Sequence, residues 1–454
     1  MSETRELLEL TAELAASFVE SLDERPVLRE VDLEALRAAL ARPLADGPCD
    51  PRDVIAALAA DADPGIAGMP GGRWFGFVIG GALPAALAAD WLTSTWDQNA
   101  GLFAPAPSAA IVEDVAGEWL RELFGLPEGV SFGFVTGCQM AHVTALAAAR
   151  AQLLERAGWD FGREGLYGAP RIRVLVGMKR HATVDRALRL LGMGAPEVVD
   201  ADDQGRMRPD ALTLDGVPTI VCAQVGEVNT SACDDVDAIA DLTEPAGAWL
   251  HVDGAFGLWA AAAPSLHHLV RGIERADSWA TDAHKWLNVP YDSGVAFCAH
   301  PEAHRAAMGA QAEYLVFDAE NRDQVDWNPE FSRRARGFPV YAAIRSLGRS
   351  GIAELVEGCC AHARRFAEEL SALPGAQLLN EVVLNQVLFR FDTDERTQEI
   401  LRRVQASGEA WMSGTTWAGR AAIRVSVSNW QTTDADVERT LGAYREAAVT
   451  APVA

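Results

Sequence analysis

Between residues 84 and 300 the chain alternates between two hydrophobic periodicities. The stretches 84–98, 107–123, 139–157, 182–192 and 234–243 repeat apolar residues three and four apart, the spacing of a helix with one buried face. Short β-branched and aromatic runs separate them, at 132–136, 173–176, 197–199, 219–224, 249–252 and 295–298. Strands that alternate with helices predict an α/β fold, with a mostly parallel central sheet wrapped by helices. Such sheets bind ligands beyond the carboxyl ends of their strands. Side chains that directly follow a strand therefore carry the most functional weight.

The pattern differs on both flanks. Residues 1–60 carry helical patterns, among them 5–22 and 32–41, separated by Pro26 and the proline-bounded stretch 43–51. Residues 64–81 are rich in glycine and proline and hold Arg73-Trp74-Phe75-Gly76-Phe77, aromatic side chains that either wall a pocket or pack a turn. After residue 335 the pattern predicts a long helix at 352–373, strands at 376–379 and 385–391, and a helix at 395–406. Strands at 411–415 and 422–428 and a last helix at 434–447 complete a compact α+β unit. Three segments are expected: helices over 1–80, a large α/β domain over 81–335 and a small α+β domain over 336–454.

Composition narrows the function. A chain of 454 residues exceeds what one core usually serves. A net charge of −25 excludes nucleic acid and anionic membranes as partners, since both need basic patches. No apolar run reaches membrane-spanning length, and no basic stretch followed by an apolar one marks a secretory signal. Seven scattered cysteines form no disulfide framework, which fits a reducing cytoplasm. His300 and His304 have no third ligand nearby in sequence, and His267-His268 and Cys359-Cys360 lack metal-site spacing, so no metal is expected.

Only two of the 39 basic residues are lysines, Lys179 and Lys285. Arginine stays protonated at any useful pH, whereas a lysine loses its proton when desolvated or set near another cation. It can then attack a carbonyl and form an imine. Lys285 stands in Thr281-Asp282-Ala283-His284-Lys285-Trp286, and three other motifs fall at strand ends. Thr136-Gly137-Cys138-Gln139 leads from a strand into a helix, a turn whose free N–H groups suit a phosphate. His251-Val252-Asp253-Gly254-Ala255-Phe256 ends a strand on a carboxylate, either a turn-former or the partner of a cationic ring nitrogen. In Lys179-Arg180-His181-Ala182, His181 either caps a helix or lies flat on a ligand ring. A phosphate cradle, a carboxylate, a stacking histidine and an imine-forming lysine are together what pyridoxal 5′-phosphate requires. An ion pair at about 4 Å and an effective dielectric near 20 is worth roughly 4 kcal/mol, enough to hold a proton on the ring nitrogen at neutral pH.

The order and spacing of these motifs resemble the group II pyridoxal-phosphate-dependent amino acid decarboxylases, the family of aromatic-L-amino-acid, glutamate and histidine decarboxylases. Asp-Ala-His-Lys-Trp resembles the family's His-Lys-Trp signature. His-Val-Asp-Gly-Ala-Phe resembles its His-Val-Asp-Ala-Ala-Tyr element, 32 residues before the lysine. The resemblance implies the aspartate aminotransferase-type fold (fold type I) and a homodimer with active sites at the interface, the N-terminal helices serving dimerisation. It implies Lys285 as the Schiff-base lysine, Asp253 as the partner of the pyridine nitrogen and His181 as the stacking ring. Ala255, Gly137, Cys138, Gln139, His284 and Asp282 fall where relatives contact the cofactor. Asp282 stands where many relatives have Asn or Ser, a charge close to the phosphate. Gly226-Glu227-Val228-Asn229-Thr230 replaces a Gly-Thr-Thr of aromatic-specific members, leaving Asn229 or Thr230 to compensate.

The activity implied is α-decarboxylation of an L-amino acid to its amine and CO2, through a Lys285 Schiff base and a quinonoid. Tyr314, 29 residues after the lysine, resembles a mobile-loop tyrosine implicated in protonating Cα. Other pyridoxal chemistry (transamination, an aldolase-type cleavage, oxidative decarboxylation to an aldehyde) and a catalytically silent scaffold are the alternatives. Trp74, Phe75, Phe77 and Phe103 suggest an apolar substrate pocket, and Arg424 either meets a substrate carboxylate or forms a structural salt bridge.

Overall fold

A computed structural model describes residues 2–310, 317–318 and 320–450. Helices α1 (Glu3–Glu20), α2 (Leu33–Leu40) and α3 (Pro51–Ala62) come first, and none of the three contains a buried residue. Their starts are nonetheless well built. Ser2, Asp32 and Asp50 each cap a helix by accepting backbone N–H groups of the first turn.

The first strand, β1 (Trp74–Phe75), belongs to the smaller of two sheets. The larger sheet holds β2 (Ser131–Val135), β3 (Arg173–Gly177), β4 (Glu197–Val199), β5 (Thr219–Gln224), β6 (Trp249–Asp253), β7 (Ser278–Asp282) and β8 (Gly294–Cys298). Their spatial order is β2-β8-β7-β6-β5-β3-β4. Only β8 runs against its neighbours β2 and β7; the other pairs are parallel. Helices α4 (Pro84–Trp96), α5 (Pro107–Leu123), α6 (Cys138–Arg156), α7 (Phe161–Glu164), α8 (Ala182–Leu190), α9 (Val236–Ala246) and α10 (Pro301–Met308) surround this sheet. The alanines of α6 let it lie close against β7 and β8, with α8 and α10 alongside.

The C-terminal part starts with α11 (Gly337–Ser371), which packs on α4 and α5 and breaks at Gly348, where φ is +62°. The sequence pattern shows only its second limb, because two glycines near the break interrupt the apolar periodicity. Strands β9 (Gln377–Leu378), β10 (Gln386–Arg390), β11 (Trp411–Trp417) and β12 (Arg420–Ser426) join β1 in the order β1-β11-β12-β10-β9. Helices α12 (Asp394–Ala406) and α13 (Asp434–Thr450) cover them. Trp74 pairs in register with Trp411, so the residues just before 80 belong to this sheet, not to the N-terminal helices. One continuous apolar core runs from Phe75 through both sheets to Ala448.

The sequence pattern misses β7. Its residues, Ser278-Trp279-Ala280-Thr281-Asp282, are all buried, so no polar-out alternation exists to be seen. Two of its polar side chains bond inside the protein: Ser278 receives the indole N–H of Trp249, and Asp282 receives the amide of Cys138.

Candidate active site

The carboxyl ends of β5, β6 and β7 open on one cavity of about 430 Å³. Lys285 enters it from the turn after β7. Amides of Ala283 and His284 donate to the Ser293 carbonyl at 3.1 and 3.2 Å and close that turn. A Cβ on Gly80 would lie 1.9 Å from the Lys285 carbonyl oxygen, so the N-terminal segment crosses the lysine where only glycine fits. The Lys285 ammonium lies 2.9 Å from the Asp282 carboxylate. Burial works most strongly against this ammonium, but the acidic groups around it, Asp282 first among them, together hold the lysine above its ordinary range.

Asp253 ends β6 in the wall of the same cavity and is buried. Its Oδ1 accepts the Ala255 amide at 3.2 Å and faces the Cys138 thiol at 3.8 Å; its Oδ2 lies 3.5 Å from His142 Nε2. Burial alone would raise this carboxyl, yet His142, His181 and Lys285 together hold it well below the usual range. It is an ionised carboxylate with a face on the cavity. Cys138, His142 and Asp253 bring their polar atoms within 4.8 Å of one another. Burial, reinforced by Asp253, pushes the Cys138 thiol far up, so it stays protonated.

Gly137 precedes α6, and Cys138 and Gln139 begin it. The Cys138 amide donates to Asp282 Oδ1 at 2.5 Å, and Gln139 Nε2 donates to the Thr183 carbonyl at 3.2 Å. His284 sits beside the turn, where a Cβ on Gly137 would meet its ring at 3.0 Å. Burial lowers the His284 pKa, so the ring is neutral at pH 7. Asp282 thus places a carboxylate at the positive end of α6. His181 bears out the helix-cap reading and also faces the cavity. It caps α8, its ring accepting the Thr183 amide, and it lines the cavity. Lys179 is placed otherwise: its ammonium lies 4.4 Å from the Trp417 ring centroid and it is not in the cavity wall.

Phe77, Val78, Ile79, Val228 and Phe256 make the apolar part of the wall. Arg424 adds a buried guanidinium whose Nε has no hydrogen-bond partner among the described residues. Burial brings its pKa down to about 10, so it remains charged at neutral pH. The other substrate candidates lie elsewhere. Trp74 stacks on Trp411 at 4.5 Å, and Phe75 packs edge-on against Phe366 in the core. Asn229 and Thr230 bond to Glu227, and the Phe103 amide donates to Asp323. Tyr314 lies outside the described residues.

Val78, Ile79, Val228 and Phe256 of the wall escape the sequence reading, and so do Tyr291 and His142. Tyr291 lines the cavity with its ring 4.4 Å from that of His284, and burial lifts its phenol to about 12. Its place six residues after Lys285 was the available signal. His142 had none, because its partner Asp253 is more than a hundred residues away.

The residues present suit pyridoxal phosphate. A lysine and an ionised, buried carboxylate face one cavity, a histidine ring forms part of its wall, and a helix begins beside it. The family model described as the pyridoxal-dependent decarboxylase conserved domain matches residues 72–392. An aromatic-L-amino-acid decarboxylase of Bacillus atrophaeus is 27% identical, over 95% of this chain and 92% of that protein. A phenylacetaldehyde synthase of Arabidopsis thaliana is 23% identical, over 93% of this chain and 91% of that protein. The crystal structure of Oryza sativa TDC with PLP and tryptamine superposes with a TM-score of 0.92 at 23% identity, covering 98% of each chain.

Proposed function

Because the chain belongs to the pyridoxal-dependent decarboxylases, pyridoxal phosphate is its cofactor and decarboxylation of an amino acid its reaction; we propose that its substrate is an aromatic L-amino acid and its product the amine. The observation that carries this reading is the cavity in which Lys285 and Asp253 share a wall with Phe77, Val78, Ile79, Val228 and Phe256. An apolar wall favours a large apolar side chain by about 25 cal/mol for each Å² it covers. The similarity to an aromatic-L-amino-acid decarboxylase supports the same class.

In this reading Lys285 anchors the cofactor, Asp253 holds the ring nitrogen and His181 covers the ring. The start of α6, from Gly137 to Gln139, holds the phosphate with His284. When bound, the cofactor supplies an electron sink for the pair of electrons left at Cα as CO2 departs. The protein does the rest. Asp282 is the base within reach of the Lys285 ammonium. Arg424 offers its guanidinium to a substrate carboxylate and so orients the amino acid. Phe77 and Phe256 keep water from the side-chain end. Tyr314 delivers the proton to Cα.

The exposed N-terminal helices support a homodimer, in which they meet a second copy of the chain. Its net charge of −25 and the lack of any described helix long and apolar enough to cross a membrane fit a cytoplasmic enzyme. The test is a screen of the common amino acids for CO2 release and amine formation. Turnover of tryptophan, tyrosine or phenylalanine is expected. Turnover restricted to acidic or small amino acids overturns the substrate class.

A further inference from the structure

Behind Asp253, away from the cavity, lies a line of buried polar side chains that the reaction as described does not use. His142 Nε2 is 3.5 Å from Asp253 Oδ2. His142 Nδ1 is 2.9 Å from His251 Nε2, and His251 Nδ1 is 2.9 Å from the Ser278 hydroxyl. The Trp249 indole N–H donates to the same hydroxyl at 2.8 Å. All four side chains are essentially inaccessible to solvent, and none lines the cavity. They come from α6, β6 and β7, so the line crosses the sheet beneath the site.

We infer that His142 and His251 are positioning residues: with Trp249 and Ser278 they form a one-way hydrogen-bond relay that ends on Asp253 and holds its carboxylate ionised without cancelling its charge. With His142 neutral, which is part of the inference, the direction follows from the donors. His142 Nε2 lies 3.5 Å from both the Cys138 sulfur and the Asp253 carboxylate; an ionised carboxylate only accepts and is the stronger acceptor, so the inference directs the Nε2 hydrogen toward it. A neutral imidazole has one N–H, which leaves His142 Nδ1 an acceptor and makes His251 Nε2 the donor to it. His251 Nδ1 then accepts from Ser278, whose oxygen accepts from Trp249, a group that only donates. Burial lowers the His251 pKa to about 3, in keeping with a neutral ring. A cationic His142 would satisfy the same distances but would neutralise Asp253. A neutral relay leaves the full carboxylate charge for the ring nitrogen. It also lowers the carboxylate's own appetite for the proton, so the proton resides on nitrogen rather than on oxygen.

The inference rests on the assignment of Asp253 to the ring nitrogen, and the experiment separates the two. Holoenzyme is reconstituted with pyridoxal phosphate carrying nitrogen-15 in the ring, whose chemical shift reports protonation there. His142→Leu removes the donor. The signal is expected to move toward that of neutral pyridine, with kcat falling about tenfold, the order expected for one hydrogen bond to a charged group, and KM nearly unchanged. His142→Gln places an amide N–H where Nε2 stands and is expected to restore the wild-type signal. Ser278→Ala removes the relay's hydroxyl without adding volume and serves if His142→Leu does not fold; a smaller shift in the same direction is expected. If Asp253→Asn moves the signal but the folded His142 or Ser278 variants do not, the relay is packing only and the inference fails. If Asp253→Asn leaves the signal in place, the assignment of Asp253 itself fails.

Discussion

In the proposed reading Lys285 is the residue on which the chemistry turns, and its substitution gives the sharpest test. Borohydride treatment of the holoenzyme is expected to fix the cofactor to the peptide carrying Lys285 and to leave Lys179 unmodified. In Lys285→Arg no fixation and no turnover are expected, because a guanidinium cannot serve as the attacking amine. Asp253→Ala should lower kcat by at least about a hundredfold while changing KM much less, since the carboxylate acts mainly as charge flows into the ring. Steady-state kinetics decide it, and a near-native kcat removes Asp253 from the ring nitrogen. Tyr314→Phe concerns the product. A relative of this chain is a phenylacetaldehyde synthase, and the proton at Cα separates amine from aldehyde. The variant is expected to consume dioxygen and water and to release aldehyde, CO2, ammonia and hydrogen peroxide in place of amine. Oxygen uptake and amine yield measure this directly; unchanged amine yield without oxygen uptake assigns the proton to another group. Lys285, Asp253 and His181 could be proposed from sequence because each stands in a characteristic local motif, Asp253 and His181 near the ends of strands that the pattern shows and Lys285 as one of only two lysines. His142 and Tyr291 were not, since burial against Asp253 and proximity to His284 exist only after folding.

At the scale of elements, most helices and strands could be read from periodicity; α7, α10 and the first limb of α11 were not read, and β7 could not be. Periodicity reports contrast between a wet and a dry face, and β7 has no wet face. The same tight packing holds the turn before α6 in place. Gly294, at the start of β8, lies so close to Gly137 that a Cβ there would sit 2.5 Å from the Gly137 Cα. Gly294→Ala must therefore displace the turn assigned to the phosphate. Overpacking of this kind costs about 1–3 kcal/mol, so cofactor affinity is expected to fall by about tenfold or more. Fluorescence titration of the cofactor-free protein with pyridoxal phosphate measures it. Wild-type affinity in the variant would show that the turn tolerates the shift or holds no phosphate.

At the scale of the whole molecule, an apolar face is left without a partner among the described residues. Leu8, Trp91 and Leu92 are 55%, 40% and 47% exposed and border a groove of about 940 Å³ between α1 and α4. Apolar surface of this kind marks an association site. Replacing Leu8 with Glu and Trp91 with Arg is expected to convert a dimer to a monomer in light scattering and to abolish activity together with it. A fully active monomer would place the whole site within one chain. The molecule's stock of cations has a practical consequence of its own. With two side-chain amines in 454 residues, one over Trp417 and one in the cavity, an amine-acylating reagent has almost nothing to label. Lys179 contributes one acyl group in every state; at a pH high enough to free Lys285 from its pairing with Asp282, Lys285 is expected to contribute a second only in chains whose cofactor is absent. The intact mass after labelling therefore counts loaded and empty subunits in a mixed preparation, an occupancy gauge that an ordinary lysine-rich enzyme would bury under dozens of adducts.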